Sequence, residues 1–256
     1  MRSQVDGDTA GVEGPAAGGG RVKRRRTRTR AALLDAAERA FMRDGYHGVR
    51  IETIADEADV SVGSVYTQFS NKEGLYLAVA ERASQLFAEY LDRAYAVSES
   101  PLEQVMACGD AYLRFHLEHP GAFRFIAFEG VESRPVVGDA PLQQTLTART
   151  AAVLDGFSAR LAAAVEAGEA GDHVDPERTS RVLFGAWNGM VALSLRRDEL
   201  ALDDEATAAL IEQARRIVVE GLCSPSHRDR AGRSRARLLS IPDTASADDQ
   251  LAAPPR

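Results

Sequence analysis

From residue 33 to residue 222 the apolar residues recur at intervals of three and four, and no stretch of useful length alternates apolar with polar. That interval is the period of a helix burying one face, whereas a half-buried strand needs an interval of two. An all-α fold is expected. Gly, Pro or Asp separate the periodic segments beyond Pro101, which places helices near 102–118, 121–129, 141–168, 176–196 and 204–222.

Upstream, the same period breaks into shorter pieces. Leu33, Leu34, Ala37, Ala40 and Phe41 mark a first helix that stops at Asp44-Gly45, where glycine can take the left-handed conformation that ends a helix. Ile51, Ile54, Ala55 and Ala58 mark a second, only about two turns long. Asp59-Val60 makes a tight connection, since Asp tolerates left-handed backbone better than most residues. Ser61 suits an N-cap for a third helix carried by Val62, Val65, Tyr66 and Phe69, and Ser70-Asn71 opens a longer one from about Lys72 to Ala96.

Two short helices joined by a tight turn, with another packed across them, describe a helix-turn-helix. Ile51, Ile54, Ala55, Val60, Val65 and Phe69 are its expected core, with Ala55 small where the two helices approach. Val62, Gly63, Ser64, Thr67 and Gln68 are then left to face outward. A solvated helix face normally carries Glu, Lys and Arg, yet Val62–Phe69 holds no charge. Short polar side chains and valine methyls are what can reach base edges in a major groove. Lys72, one of only two lysines in the chain, begins the next helix, whose free N–H groups also favour an anion. A phosphate fits there, with Thr53 and the Tyr66 hydroxyl as further contacts. The alternative is an ordinary solvated lysine beside a core tyrosine.

Spread evenly, the net charge of −7 would oppose nucleic acid, but its distribution does not. Residues 21–82 hold 12 basic against 9 acidic residues, while residues 83–223 hold 12 against 22. The acid therefore sits away from the short helices. RVKRRRTRTR, residues 21–30, carries seven basic residues and no acid.

At these residues a resemblance becomes visible. AALLDAAERAF, DGYHGVRIETIA and above all VSVGSVYTQFSNKEGLY resemble the DNA-binding region of TetR/AcrR-type transcriptional regulators over about 50 residues. The resemblance implies that Thr53, Tyr66 and Lys72 hold the phosphate backbone and that Val62, Gly63, Ser64 and Thr67 face bases. Arg50 stands where that family usually has Ser or Thr capping the first short helix, and it is expected to reach a phosphate instead. Gln68 replaces a frequent His. AWNGMVALSL resembles a Trp-His-Gly stretch of one branch of regulatory domains, with Asn188 in place of the His.

Gly185 and Gly189 stand one turn apart with Ala192 near the same face, which lets helices pack closely. With Ala214, Ile217 and Val218 on the last helix they are an expected interface of a homodimer, as the resemblance also implies; burial within one subunit is the alternative. Tyr112, Phe115, Phe123, Phe125 and Phe128 cluster around His119-Pro120-Gly121 and read as core or, on the family reading, as partial walls of an effector pocket with Trp187 and Asn188. His116 and His119 lack a third clustered ligand, so no metal is expected. No phosphate loop, nucleophile elbow or zinc-protease motif appears, and neither a cofactor nor catalysis is expected. Cys108 and Cys223 stand far apart, no apolar run is long enough to span a bilayer, and the N-terminus is not a secretory signal, so a cytoplasmic location is expected.

The expected organisation is a disordered tail with a basic arm (1–26), a helix-turn-helix unit (27–80), a helical regulatory and dimerisation domain (81–223) and a disordered tail (224–256). The expected function is a dimeric, ligand-responsive repressor binding a palindromic double-stranded DNA operator and released by a small-molecule effector. The rival is an all-helical carrier or enzyme in which the helix-turn-helix is vestigial.

Overall fold

Ser61, Asn71, Ser100, Asp175 and Asp203 each precede a helix, and each side chain accepts a backbone N–H of the first turn. Such caps satisfy donors that have no partner within the helix and fix where it begins. The structure, a computed structural model, describes residues 18–127, 140–196 and 198–243. The helices are α1 (Gly18–Gly48), α2 (Ile51–Glu57), α3 (Val62–Phe69), α4 (Lys72–Tyr95), α5 (Pro101–Glu118), α6 (Pro120–Ala127), α7 (Ala140–Glu166), α8 (Pro176–Ser194) and α9 (Asp204–Leu222). Among the described residues there is no strand, only two isolated bridges. The fold is all-α, and the helix boundaries lie within two residues of those expected beyond Pro101.

Two hydrophobic cores form. The first joins Leu33, Phe41, Ile54, Ala55, Val65, Phe69, Leu75 and Val79 from α1 to α4. Ile54 and Leu75 are fully shielded there, so truncating either to alanine would cost about 2–5 kcal/mol. The second gathers α4, α5, α7, α8 and α9 around α5, which is buried along most of its length. Phe125 of α6 belongs to the first core while Phe123 belongs to the second, so α6 fastens one to the other. Arg82 of α4 adds ion pairs to Asp35 at 2.5 Å and Glu38 at 2.7 Å on α1.

Both ends depart from expectation. The basic arm, expected to belong to a disordered tail, instead continues α1 upstream to Gly18; the helix breaks only at Gly45, whose φ is 69°. The stretch after Ser224, also expected to be disordered, forms a 3-10 turn (Pro225–His227) and then a strap lying along α5 to Asp243. Its Arg237 donates through the backbone N (2.8 Å) and Nε (3.0 Å) to one oxygen of Glu103, and through Nη2 (2.8 Å) to the other. The Ile241 N–H donates to Asp110 at 2.8 Å, and the Ile241 side chain is only 1% exposed. Arg93 of α4 donates to the Pro242 carbonyl at 3.0 Å. Buried Arg215 of α9 donates to the Leu239 carbonyl at 2.5 Å and to Met106 O of α5 at 2.9 Å. The physical reason is that α5 buries two acids: without the strap Glu103 would keep only the Ser98 hydroxyl, and Asp110, paired with Arg114, would lose the Ile241 N–H. Residues 1–17 and 244–256, the remainder of the expected tails, lie outside the described residues.

Candidate nucleic-acid interface and ligand cavity

Asp59 takes the left-handed φ of 52° that its position in the turn requires, and the Val60 N–H returns to Ala55 O at 3.0 Å. The chain thereby turns from α2 into α3 over the four residues 58–61, and Ser61 caps α3 through the Ser64 N–H at 3.3 Å. Val65 and Phe69 point into the core, while Gly63, Tyr66 and Thr67 point out. Tyr66 is 48% exposed, a large side chain standing free on a short helix. The Thr67 hydroxyl donates to Gly63 O at 2.8 Å, leaving its oxygen able to accept. Ser64 shares a 2.9 Å hydrogen bond with Ser61.

Some of the expected outward face is less open. Val62 is half-buried against the first core, and Gln68 is half-buried with its side-chain oxygen shut away and unpartnered. Thr53 of α2 is exposed. Arg50 precedes α2 without capping it, extends into solvent and lies 3.7 Å from Glu52.

Lys72 has partners within the chain. Its ammonium does not wait for an external anion: Nζ donates to Val49 O at 2.6 Å and stands 4.8 Å from the centre of the Tyr46 ring. The lysine therefore ties the α1–α2 connection to the start of α4, and burial holds its pKa below the usual lysine value. Two of its three N–H donors stay available beyond that carbonyl. Tyr46 lies beyond the Gly45 break, outside the apolar period of α1, yet it packs on Phe41 and Tyr76 as well as facing the cation.

On α1, Arg30 lies over the Phe69 ring at 4.6 Å, which brings this helix against α3. Lys23, Arg24, Arg25 and Arg26 continue the same helix and are all exposed.

A separate cavity lies within the second core. Helical neighbours supply its wall in pairs: Phe87 and Leu91 from α4, Cys108 and Tyr112 from α5, Val153 and Phe157 from α7, Phe184 and Trp187 from α8, with Leu154 alongside. The void it leaves is about 30 Å³, within about 380 Å³ of space that includes open solvent. Of the residues expected to line a pocket, Tyr112 and Trp187 do so. Asn188 stands behind the wall, where its side-chain oxygen accepts from the Tyr112 hydroxyl and its nitrogen donates to Phe184 O at 2.9 Å. Phe115 and Phe123 do not line it; they fill solid core, with rings 6.0 Å apart. Phe128 lies outside the described residues. Phe87, Phe157 and Phe184 carry no distinguishing signal in the sequence, because a lone apolar residue on a helix reads the same whether it meets a neighbour or a void. His116 is buried against Phe123 and shares a hydrogen bond with Ser194 at 3.1 Å. Among the described residues no group of His, Cys, Asp and Glu could hold a metal, and no helix is long and apolar enough to cross a membrane.

On the face of α8 and α9, Gly185 and Gly189 have no atom within 4 Å of where a Cβ would stand. Val182 (66% exposed) and Ile217 (64% exposed) flank them. Ala192 is half-buried, and Ala214 and Val218 rest partly on the subunit's own core rather than facing wholly outward.

A helix-turn-helix whose second helix has an uncharged outer face, set on a helical domain with its own cavity, defines a DNA-binding regulator with a sensing domain. Comparison with known proteins agrees. The family model for bacterial regulatory proteins of the tetR family matches residues 33–79, and that for a tetracyclin repressor-like C-terminal domain matches residues 105–220. The HTH-type transcriptional regulator RutR of Escherichia coli is 28% identical over 225 residues, covering 79% of this chain and 97% of that one. The HTH-type transcriptional activator FasR of Mycolicibacterium smegmatis is 33% identical over 150 residues, 58% of this chain and 68% of that one. The crystal structure of the regulator FadR from Bacillus subtilis in complex with stearoyl-CoA superposes with a TM-score of 0.62 at 19% identity, covering 75% and 98% of the two chains. The chain belongs to the TetR family of bacterial transcriptional regulators.

Proposed function

We propose that this regulator is a dimeric repressor that reads a palindromic operator with α3 and leaves it when a small apolar effector fills the cavity between α4, α5, α7 and α8. Gly63, Ser64 and Thr67, with Val62 at the edge, face bases in the major groove. Thr53, Tyr66, Arg50 and the free donors of Lys72 hold phosphates on either side. Val182, Gly185, Gly189, Ala192 and Ile217, with the outer atoms of Ala214 and Val218, form a four-helix contact between two copies.

The observation that carries this reading is the reach of α4. The helix begins at Lys72, beside the candidate DNA face, and fifteen residues later offers Phe87 to the cavity wall. Both sites therefore act on one rigid element. The apolar wall supports an apolar effector, and FadR, of the same fold, is seen with stearoyl-CoA.

Genomic fragments selected by the purified protein supply the operator, and two variants then separate positioning from reading. Tyr66→Phe should weaken binding about equally on all sequences. Thr67→Ala should change the preference at one base pair by about 1–3 kcal/mol. No selected palindrome, or equal loss of discrimination in both variants, would refute this docking.

A further inference from the structure

The cavity's wall holds almost no polar chemistry that is not already spent. The Tyr112 hydroxyl donates to Asn188, and the Cys108 thiol donates to Gln104 O at 3.3 Å. None of the lining residues is charged. One donor is left over. Trp187 is 4% exposed, and its indole N–H is buried without any acceptor.

An unsatisfied buried donor costs about 1–3 kcal/mol and is uncommon in a packed interior. The indole is also held in place: its Cζ2 edge lies over Gly109 of α5, where a Cβ would come within 3.2 Å of it. A Cβ at 109 would press on the ring by a few tenths of an ångström, and the Arg215 side chain fills the same notch at 3.1 Å. The fold thus leaves a lone hydrogen-bond donor on a ring that lines an otherwise apolar space, shielded until the packing around it opens.

From this we infer that Trp187 is the specificity-determining residue of the cavity, and that the effector is an uncharged, mainly apolar molecule carrying a carbonyl oxygen that accepts from its Nε1–H. Ketones, esters, lactones and thioesters share that chemistry. A free carboxylate does not suit the site, because its charge would meet no counter-charge there. The void itself is only about 30 Å³, far below the roughly 300–1,000 Å³ of formed ligand pockets, so a compact molecule or a short chain would enter by moving these helices apart. The inference rests on the proposed reading of this cavity as the effector site.

Trp187 is the chain's single tryptophan, so the full-length protein labelled with 15N-tryptophan gives one indole N–H resonance. The probes are 2-decanone and its isostere 2-methyl-1-decene, which differ only in C=O against C=CH2. The ketone should move the indole proton downfield and slow its exchange with solvent, whereas the alkene should bind without doing either. By calorimetry, Trp187→Phe should lower the ketone's affinity relative to the alkene's by about 2- to 13-fold. If both probes bind and the indole responds identically to each, the inference is overturned while the cavity reading stands. If neither binds, the cavity reading falls and takes the inference with it. Should the variant fail to fold, the wild-type resonance decides alone.

Discussion

Glu103→Gln tests whether the C-terminal strap is part of the fold's energetics. Glu103 is 6% exposed. Burial by itself pushes its carboxyl up, but hydrogen bonds from the Arg237 side chain, the Arg237 backbone and the Ser98 hydroxyl, together with the Arg237 charge, outweigh this and bring it down to about 2 from an ordinary 4.5. A pKa lowered by folding stabilises the protein above the unfolded value and loses that contribution as pH falls toward the folded value. A shift of that size corresponds to about 3 kcal/mol at pH 7, and to about 1 kcal/mol at pH 3. Because the Arg237 side chain is 67% exposed, solvent screening makes these figures upper bounds. Glutamine keeps the shape but loses the charge and sets two N–H donors against those of Arg237. The assay is urea unfolding of wild type and variant at pH 7 and pH 3, compared as a difference so that other carboxylates cancel. A penalty of about 2–3 kcal/mol at pH 7 that shrinks by half or more at pH 3 is expected. A penalty below about 0.5 kcal/mol at pH 7, or one independent of pH, would refute the reasoning.

Gly189→Arg places a long charged side chain on the open face of α8, where nothing in the subunit obstructs it; a folded monomer with poor operator binding is expected, and a variant that remains dimeric by light scattering would place the interface elsewhere. Lys72→Met keeps the aliphatic stem near Tyr46 but removes the bond to Val49 O. It should lower stability by about 1–2 kcal/mol and weaken binding evenly across sequences, as read by unfolding and by affinity on unrelated fragments. Deleting residues 1–26 removes Arg21, Lys23, Arg24, Arg25 and Arg26. If they neutralise phosphates, the slope of log affinity against log salt should flatten by about 0.9 for each phosphate left without its cation, whereas parallel lines would leave the arm off the duplex.

The helices were legible because each buries one face and starts at a capping side chain, and both signals are local. Asp59 and Gly45 took the left-handed backbone their positions suggested for the same reason. What escaped was non-local. The strap looks like a polar tail because its anchors are arginines and one isoleucine, and their partners Glu103 and Asp110 lie more than a hundred residues upstream. Lys72 likewise reads as a free cation until the fold brings Val49 O and Tyr46 to it. The cavity was half legible: Tyr112 and Trp187 stand out as aromatics, but whether an aromatic faces a void depends on packing between helices that periodicity does not describe.

The same non-local contacts bear on how the proposed sensing would work. α4 is gripped at its start by the tie from Lys72 and midway by Arg82, which binds Asp35 and Glu38 of α1. Arg149 of α7 holds Glu81, and at the far end Arg93 reaches the strap. A helix fastened at both ends resists sliding along its axis. A ligand pressing on Phe87 and Leu91 would instead tilt it. The lever from Phe87 back to Lys72 is about 22 Å at 1.5 Å per residue, so a tilt of about 5° would carry the start of the helix by about 2 Å. The helix-turn-helix would travel with it as a unit, because α4 contributes Leu75, Tyr76 and Val79 to its core and Phe125 of α6 is lodged there too. In a dimer both halves would move, changing a spacing that must match about 34–36 Å by about 4 Å. Release would then need no rearrangement inside the DNA-binding unit, and the rigid packing of its core becomes the means by which a small displacement at the cavity reaches the operator.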